Sequence, residues 1–199
     1  AMVQRLNELF WPIFNASSFP TSSLDTRLTS YLDTAVSMDK LDLYKVILEE
    51  ATHLSPIRGI EMNLLFKAAE CGSTSMLKHF LDQGHSLASS MPESGTTLLH
   101  IFAKENHTEL LALALDNGVN ADTADIRKWT PLHVAVFLEN LEATRTLLDS
   151  GANIEQQEET GQTPLHLAAI TGNTDMARLL MNRGASPAST THRGYTALD

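Results

Sequence analysis

The chain has one cysteine, Cys71, among its 199 residues. A single thiol excludes an internal disulfide framework and makes a zinc site implausible despite the eight histidines. Long apolar runs are also missing, because stretches such as 110–115 are far shorter than the roughly 20 residues that span a bilayer. No charged-then-apolar leader opens the chain. We therefore expect an intracellular protein, of the cytoplasm or the nucleus, without a membrane span.

Basic residues are scarce as well. Fourteen Lys and Arg face 24 Asp and Glu, which gives a net charge of −10 and a pI near 5.2. Such a charge repels a phosphate backbone and an anionic membrane surface, so we expect neither nucleic acid nor membrane as a ligand. Glu155, Glu158 and Glu159 crowd one stretch. Either they form a solvated loop that keeps the chain soluble, or they meet a basic segment of a partner.

Motifs of catalysis are absent too. The sequence has no Gly-rich phosphate loop, no Gly-x-Ser-x-Gly and no His-Glu-x-x-His. We therefore expect that these residues form no enzyme and bind no cofactor and no metal.

A short motif recurs four times at one constant spacing. Its copies are 97–100 (Thr-Leu-Leu-His), 130–133 (Thr-Pro-Leu-His), 163–166 (Thr-Pro-Leu-His) and 196–199 (Thr-Ala-Leu-Asp). Gly118, Gly151 and Gly184 follow the Thr of the first three copies, each at the same separation. A fixed period between about 20 and 50 residues is typical of a stacked solenoid, in which each unit buries its apolar faces only against its neighbours.

The motif has the chemistry of a helix start. Pro131 and Pro164 fit the first helical position, where a missing N–H costs nothing. Thr130 and Thr163 then occupy the N-cap, and each motif His lies close enough to hydrogen-bond that Thr or a neighbouring backbone group. A recurring His at one structural position is better explained as a fastener of the turn than as a catalytic group.

These residues resemble the ankyrin repeat, most closely from about residue 61 to the end. The resemblance implies an all-α fold, a solenoid of stacked helix–turn–helix units joined by loops or β-hairpins. The units are expected at 28–60, 61–94, 95–127, 128–160 and 161–193, with 194–199 opening a sixth. The first unit is the faintest copy, and Asp33 and Phe66 replace the motif His in the first two units.

Residues 1–27 lie outside the repeats. An apolar cluster between Leu6 and Phe14 predicts a short amphipathic helix, which is followed by a polar linker. The helix either caps the open face of the first unit or docks on a partner or another domain. Ala1 before Met2 and the motif cut off at Asp199 indicate a fragment of a longer parent protein.

The resemblance also implies a concave groove, formed by the loop tips and the exposed ends of the first helices. Carried onto this sequence, its positions are Ile126, Arg127, Trp129, Phe137, Leu138, Glu159, Gln162, Ile170, Thr171, His192, Arg193 and Tyr195. Several of these residues are apolar although the fold does not need them to be, and a contiguous exposed apolar patch is typical of an interaction site. The alternative is that Trp129 and Phe137 only stack on each other or fold over the hairpin.

The resulting hypothesis is a protein-interaction module, an adaptor or scaffold that is monomeric by itself and holds a partner's loop or extended peptide in the groove. A second hypothesis is the substrate-targeting or regulatory arm of a larger enzyme whose catalytic domain lies elsewhere. A third is self-association through the groove or the open C-terminal face.

Overall fold

The computed structural model describes residues 21–51 and 61–199, and within them the chain forms ten helices and no strand. One isolated antiparallel bridge joins Ser90 to Thr97. The helices are α1 (Thr21–Ser37), α2 (Leu41–Ala51), α3 (Glu61–Cys71), α4 (Thr74–Asp82), α5 (Leu98–Lys104), α6 (Thr108–Asp116), α7 (Pro131–Phe137), α8 (Leu141–Asp149), α9 (Pro164–Thr171) and α10 (Thr174–Asn182). None of those described is both long and apolar enough to cross a bilayer.

Consecutive helices form five helix–turn–helix pairs that stack along one axis. The first helix of each pair, here called the inner helix, packs on the inner helices of its neighbours, whereas outer helices such as α6 and α8 pack on one another. The core runs between the pairs, as one continuous cluster of buried Leu, Ala, Val, Met and aromatic side chains. The all-α stack predicted from the constant motif spacing is confirmed.

The turn within each pair closes in the same way. Inner helices end at a residue with a left-handed backbone, which is Gly72 or Gly172 in two pairs and Asp39, Asn106 or Glu139 in the others. The next N–H then returns to a carbonyl of the inner helix at 2.8–3.1 Å. The predicted glycines after the outer helices, at 84, 118, 151 and 184, also have positive φ, from 79° to 97°.

The N-terminal boundary differs from the prediction. Helix α1 begins at Thr21, so residues 21–27 are helical although the sequence assigned them to the linker. The helix extends this far because no Pro or Gly interrupts the run that follows Pro20. The apolar cluster of residues 6–14, predicted to form a capping helix, lies outside the described residues.

Candidate functional site

Hairpin-like loops precede α5, α7, α9 and the last motif copy, residues 196–199, and lie side by side. We call them the fingers, residues 91–96, 125–129, 158–162 and 191–195. Each is closed by a backbone hydrogen bond between its ends, as from Asp125 N–H to the Trp129 carbonyl at 2.8 Å. Neighbouring fingers are joined by the bonds Ile126 N–H to Ser94 O (3.0 Å), Glu159 N–H to Arg127 O (3.1 Å) and His192 N–H to Thr160 O (3.1 Å). The fingers therefore form one connected row.

Buried motif histidines tie the inner helices to this row. In α7, the N–H of the N-cap Thr130 donates to His133 Nδ1 at 3.2 Å, and the Thr130 hydroxyl lies 2.8 Å from the same nitrogen. The Nε2 of His133 contacts the carbonyl of Gln162, on the next finger, at 3.4 Å. His100 and His166 repeat the arrangement, with Nε2 2.9 Å and 3.1 Å from the carbonyls of the next fingers. The predicted fastening of the turn by Thr and His is confirmed.

The protonation state of these histidines follows from their partners. Because Nδ1 accepts a backbone N–H, the ring proton lies on Nε2, which donates to the carbonyl of the next finger. Desolvation by burial lowers the pKa of His100 and His133, and the hydrogen bonds to Trp129 and Gln162 oppose this shift only in part. Both rings are therefore neutral near pH 7 and act as hydrogen-bonding bridges between repeats.

Carboxylates stabilise two of the fingers from inside. Oδ1 of Asp125 accepts the N–H groups of Arg127 and Trp129, both at 2.8 Å. One repeat later, the buried Glu158 accepts N–H groups from Thr160 at 2.8 Å and Gln162 at 3.0 Å, as well as the Thr160 hydroxyl. Burial raises the pKa of Glu158, but these hydrogen bonds and the nearby His133 outweigh it, so that the net pKa is lowered.

Two of the three glutamates in the acidic stretch accept hydrogen bonds from within the chain. Glu158 is buried in its own finger. Glu155 accepts hydrogen bonds from the Ser186 N–H and the Ser189 hydroxyl, both at 2.6 Å. Only Glu159 of the three presents its carboxylate to solvent without such bonds within the described residues. The three glutamates, for which the sequence left open a solvated loop or a contact with a basic segment of a partner, therefore do not form one free acidic surface.

The predicted groove residues lie along the finger row and the C-terminal ends of α7 and α9. Five of them are exposed large hydrophobic residues: Ile126 (71% exposed), Ile170 (64%), Tyr195 (58%), Phe137 (44%) and Leu138 (43%). Arg127, Glu159 and Arg193 are exposed as well, whereas Gln162 and Thr171 are half-buried. We call Ile126, Trp129, Phe137, Leu138, Ile170 and Tyr195 the apolar groove residues.

Two depressions bring most of these side chains together. The first has a volume of about 380 Å³ and is lined by Arg127, Trp129, Phe137 and Leu138 among others. The second, of about 850 Å³, lies two repeats further on and is lined by Gln162, Ile170, Arg193 and Tyr195, together with His192. Three predicted residues, Ile126, Glu159 and Thr171, line neither of them.

Trp129 is the best packed of the apolar groove residues. Its ring meets the ring of Phe137 edge to face, with centroids 5.4 Å apart and planes at 78°. The guanidinium of Arg127 lies 5.2 Å from the centroid of the indole. The two aromatic rings do stack on each other, as the alternative interpretation had it, yet Phe137 still exposes 44% of its surface.

Lys104 is equivalent to Phe137 in the preceding repeat and is not among the predicted groove residues. In the structure it lines the first depression together with Thr96, His100 and Ile101, directly beside Phe137. The signal was available in the repeat register, because positions 104, 137 and 170 are equivalent in successive units and adjacent repeats lie side by side. Leu198, which is 83% exposed, lines the second depression and was not among the predicted residues.

Nothing in the described part of the chain resembles a metal centre. No group of three or more His, Cys, Asp and Glu side chains is arranged to hold an ion there. Cys71 is exposed at the end of α3.

Comparisons with known proteins agree with this architecture. Two family models match the chain, both described as ankyrin repeats, one over residues 65–158 and the other over 147–199. The protein phosphatase 1 regulatory subunit 12A of mouse is 31% identical over 78 residues, which are 39% of this chain, and that of rat gives the same values. A transient receptor potential cation channel subfamily A member 1 homolog of Caenorhabditis elegans is 29% identical over 102 residues, or 51% of the chain. The matched part spans 8% of the length of each of these relatives.

Proposed function

We propose that this chain holds an extended segment or loop of a partner protein in the groove beside its fingers. The proposal starts from the family to which the chain belongs, the ankyrin repeats. Ankyrin repeats are protein-interaction modules, which supports a binding role for the chain. The chain contributes binding and no catalytic step.

The observation that carries this proposal is the exposed apolar surface that extends from the third unit to the partial sixth. Ile126, Phe137, Ile170 and Tyr195 each leave more than two fifths of their surface to solvent. None of them is needed to fill the core between the repeats, which is formed by other side chains. A contiguous apolar surface of this kind is stabilised when a partner covers it.

The groove is also held in shape before any partner arrives. Backbone hydrogen bonds connect the fingers, and the buried histidines anchor three finger carbonyls, those of Trp129, Gln162 and Tyr195, to the inner helices. Because these atoms are already fixed, binding loses little further conformational entropy.

A regulatory arm of a larger enzyme is the second candidate function. It is favoured by the match to a protein whose name is that of a phosphatase regulatory subunit. Here the groove would present a partner to an enzyme outside these residues, and the chain itself would bind in the same way.

Affinity capture with paired variants tests the groove. We expect the double variant Phe137→Ser and Ile170→Ser to fold normally, because both side chains are exposed, and to lose proteins that the wild type captures from a source lysate. The matched control is Leu113→Ser and Met181→Ser, two exposed apolar residues on the outer helices α6 and α10. Its captured proteins should be those of the wild type.

Thermal unfolding of all three proteins establishes that each is folded before capture. Proteins retained by the groove variant but lost with the outer-helix variant would place the binding surface on the outer helices and contradict the proposal.

A further inference from the structure

We infer that the segment held in the groove carries a large apolar side chain with carboxylates beside it, a preference that rests on the proposed groove function. The chain as a whole is strongly acidic, with a net charge of −10. The three C-terminal fingers, which border the apolar groove residues, carry as many cations as carboxylates, but most of the charges that they expose are cations, and this local difference is the basis of the inference.

The three C-terminal fingers expose mainly cations. Arg127, Lys128 and Arg193 are exposed on them, and among the described residues Lys128 and Arg193 form no ion pair. Glu159 is the one carboxylate that these fingers present to solvent, because the carboxylates of Asp125 and Glu158 point inward, to finger backbone. A basic segment would therefore meet repulsion along this row, and an acidic one would be attracted.

Arg127 is placed to receive a carboxylate. Its guanidinium lies 5.2 Å from the centroid of the Trp129 ring and 3.6 Å from Oδ2 of Asp125, with 64% of the side chain exposed. Asp125 already accepts two backbone N–H groups on its other oxygen. Since a guanidinium has five N–H donors in a planar fork, a single long contact leaves donors free for bidentate binding of a carboxylate.

The apolar anchor and the cation belong to one depression. Trp129, Phe137 and Leu138 line the cavity of about 380 Å³ to which Arg127 also contributes. This volume lies within the range of about 300–1,000 Å³ that is usual for binding pockets. Lys104 lines the same cavity and pairs with Glu105 at 2.8 Å. One large apolar side chain fits there only with its neighbours close to these cations.

A related arrangement occurs two repeats further on. The second depression is again bordered by an exposed arginine, Arg193, and by the exposed aromatic ring of Tyr195, with Ile170 on the inner helix. Asp199 lines it as well, and its carboxylate accepts hydrogen bonds from the N–H and the hydroxyl of Thr196. An extended segment that crosses both depressions would thus pass an apolar surface and an arginine twice. We therefore expect carboxylates at more than one position of the bound segment.

Selection from a display library of random linear peptides tests the inference without knowledge of the natural partner. The immobilised wild-type chain should enrich peptides in which an aromatic or large aliphatic residue stands next to Asp or Glu. Synthetic versions of these peptides should bind about 5-fold more weakly to the double variant Arg127→Gln and Arg193→Gln, since exposed ion pairs contribute modestly. Their affinity for the wild type should also fall as salt is raised.

Arg145→Gln and Arg178→Gln form the matched control, because they remove the same charge from exposed arginines of the outer helices α8 and α10. This variant should bind the peptides as the wild type does. Enriched peptides that are apolar but neutral or basic, and that bind equally to the finger variant, would overturn the charge preference alone. Peptides that keep their affinity for the variant Phe137→Ser and Ile170→Ser would instead overturn the groove proposal.

Discussion

The first two helix pairs and the last three differ in the residue at the motif His position of the inner helix. In the C-terminal three pairs, His100, His133 and His166 are buried and bridge from the N-cap Thr to a finger carbonyl. In the N-terminal two pairs the same position is occupied by the exposed Asp33 and the buried Phe66. The side chain of Phe66 packs well but offers no hydrogen bond, so among the described residues the histidine anchors occur only in the C-terminal part.

The contacts on the turn side of the stack do not differ in this way. The Ser73 hydroxyl donates to the carbonyl of Val36 at 2.7 Å in the N-terminal part, and the Asn140 amide donates to the carbonyl of Ala103 at 2.8 Å in the C-terminal part. Stacking of the pairs and anchoring of the fingers therefore depend on different residues. The groove lies where both are fulfilled, which is what a preorganised binding surface requires.

The largest effect is expected when a motif histidine is replaced by phenylalanine, which occupies the same position in the second helix pair. His133→Phe keeps an aromatic ring in place but leaves the Thr130 N–H and the Gln162 carbonyl without partners. We expect a loss of about 3–4 kcal/mol in the free energy of unfolding, because each buried unsatisfied group costs about 1–3 kcal/mol. Urea unfolding followed by circular dichroism measures it.

The matched control is His192→Phe, since His192 is exposed. Its unfolding free energy should change by no more than about 0.5 kcal/mol, which is usual for surface substitutions. Equal stability of the two variants would show that the buried histidine is merely a space filler.

The next largest effect on the free energy of unfolding is expected when alanine replaces a glycine in a finger, compared with a glycine that follows an outer helix. Gly161 and Gly151 have nearly the same φ, 86° and 84°. A Cβ on Gly161 would lie 2.6 Å from the backbone nitrogen of His192, whereas one on Gly151 would meet no atom within 4 Å. Gly151→Ala should therefore cost about 1 kcal/mol from the backbone conformation alone, and Gly161→Ala about 2–3 kcal/mol because of the added clash. Thermal and urea unfolding of both variants check this order, and equal costs would mean that the fingers do not approach so closely.

A smaller effect is expected from acid. The pKa values of His100 and His133 are lowered chiefly by burial, so as the pH falls below the unfolded value of about 6.5 the unfolded chain takes up protons first. Stability is then complete above that pH and is lost as the pH falls towards the folded pKa. The loss is at most about 1.4 kcal/mol per pH unit for each histidine.

Urea unfolding between pH 7.5 and pH 5 measures this loss. His79, in the N-terminal part, contributes with the same sign, because burial and the charge of Lys45 lower its pKa. The variant His133→Phe isolates one site, since its stability should depend less on pH than that of the wild type. An unchanged slope would contradict the neutral state assigned to His133.

The repeat period was sufficient to predict the stack, the positions of the N-cap Thr and the left-handed glycines, because each depends on local chemistry repeated along the chain. The groove positions of Trp129, Phe137 and Ile170 came from the resemblance to ankyrin repeats, and their role in binding stays a prediction. The bonds from Glu155 to Ser186 and Ser189 could not be predicted, because they join residues 31 and 34 positions apart whose side-chain directions the period does not specify. The orientation of the finger carboxylates, and with it the charge of the groove, needed the structure.

The smallest effect on the free energy of unfolding is expected in finger 125–129, which has a lysine where the next two fingers have glycine. Lys128 has φ 60° at the position that Gly161 and Gly194 occupy in the next two fingers. Lys128→Gly should raise the free energy of unfolding by about 0.5–1 kcal/mol, because the left-handed conformation costs a side chain about 1–2 kcal/mol and glycine loses more entropy on folding. If this cation contributes to the groove, the more stable variant should nevertheless bind an acidic peptide about 2-fold more weakly at low salt, as expected for a single exposed charge. A variant that gains stability without losing affinity would place the attraction in Arg127 and Arg193 alone, whereas a loss of stability would mean that the lysine side chain itself stabilises the finger.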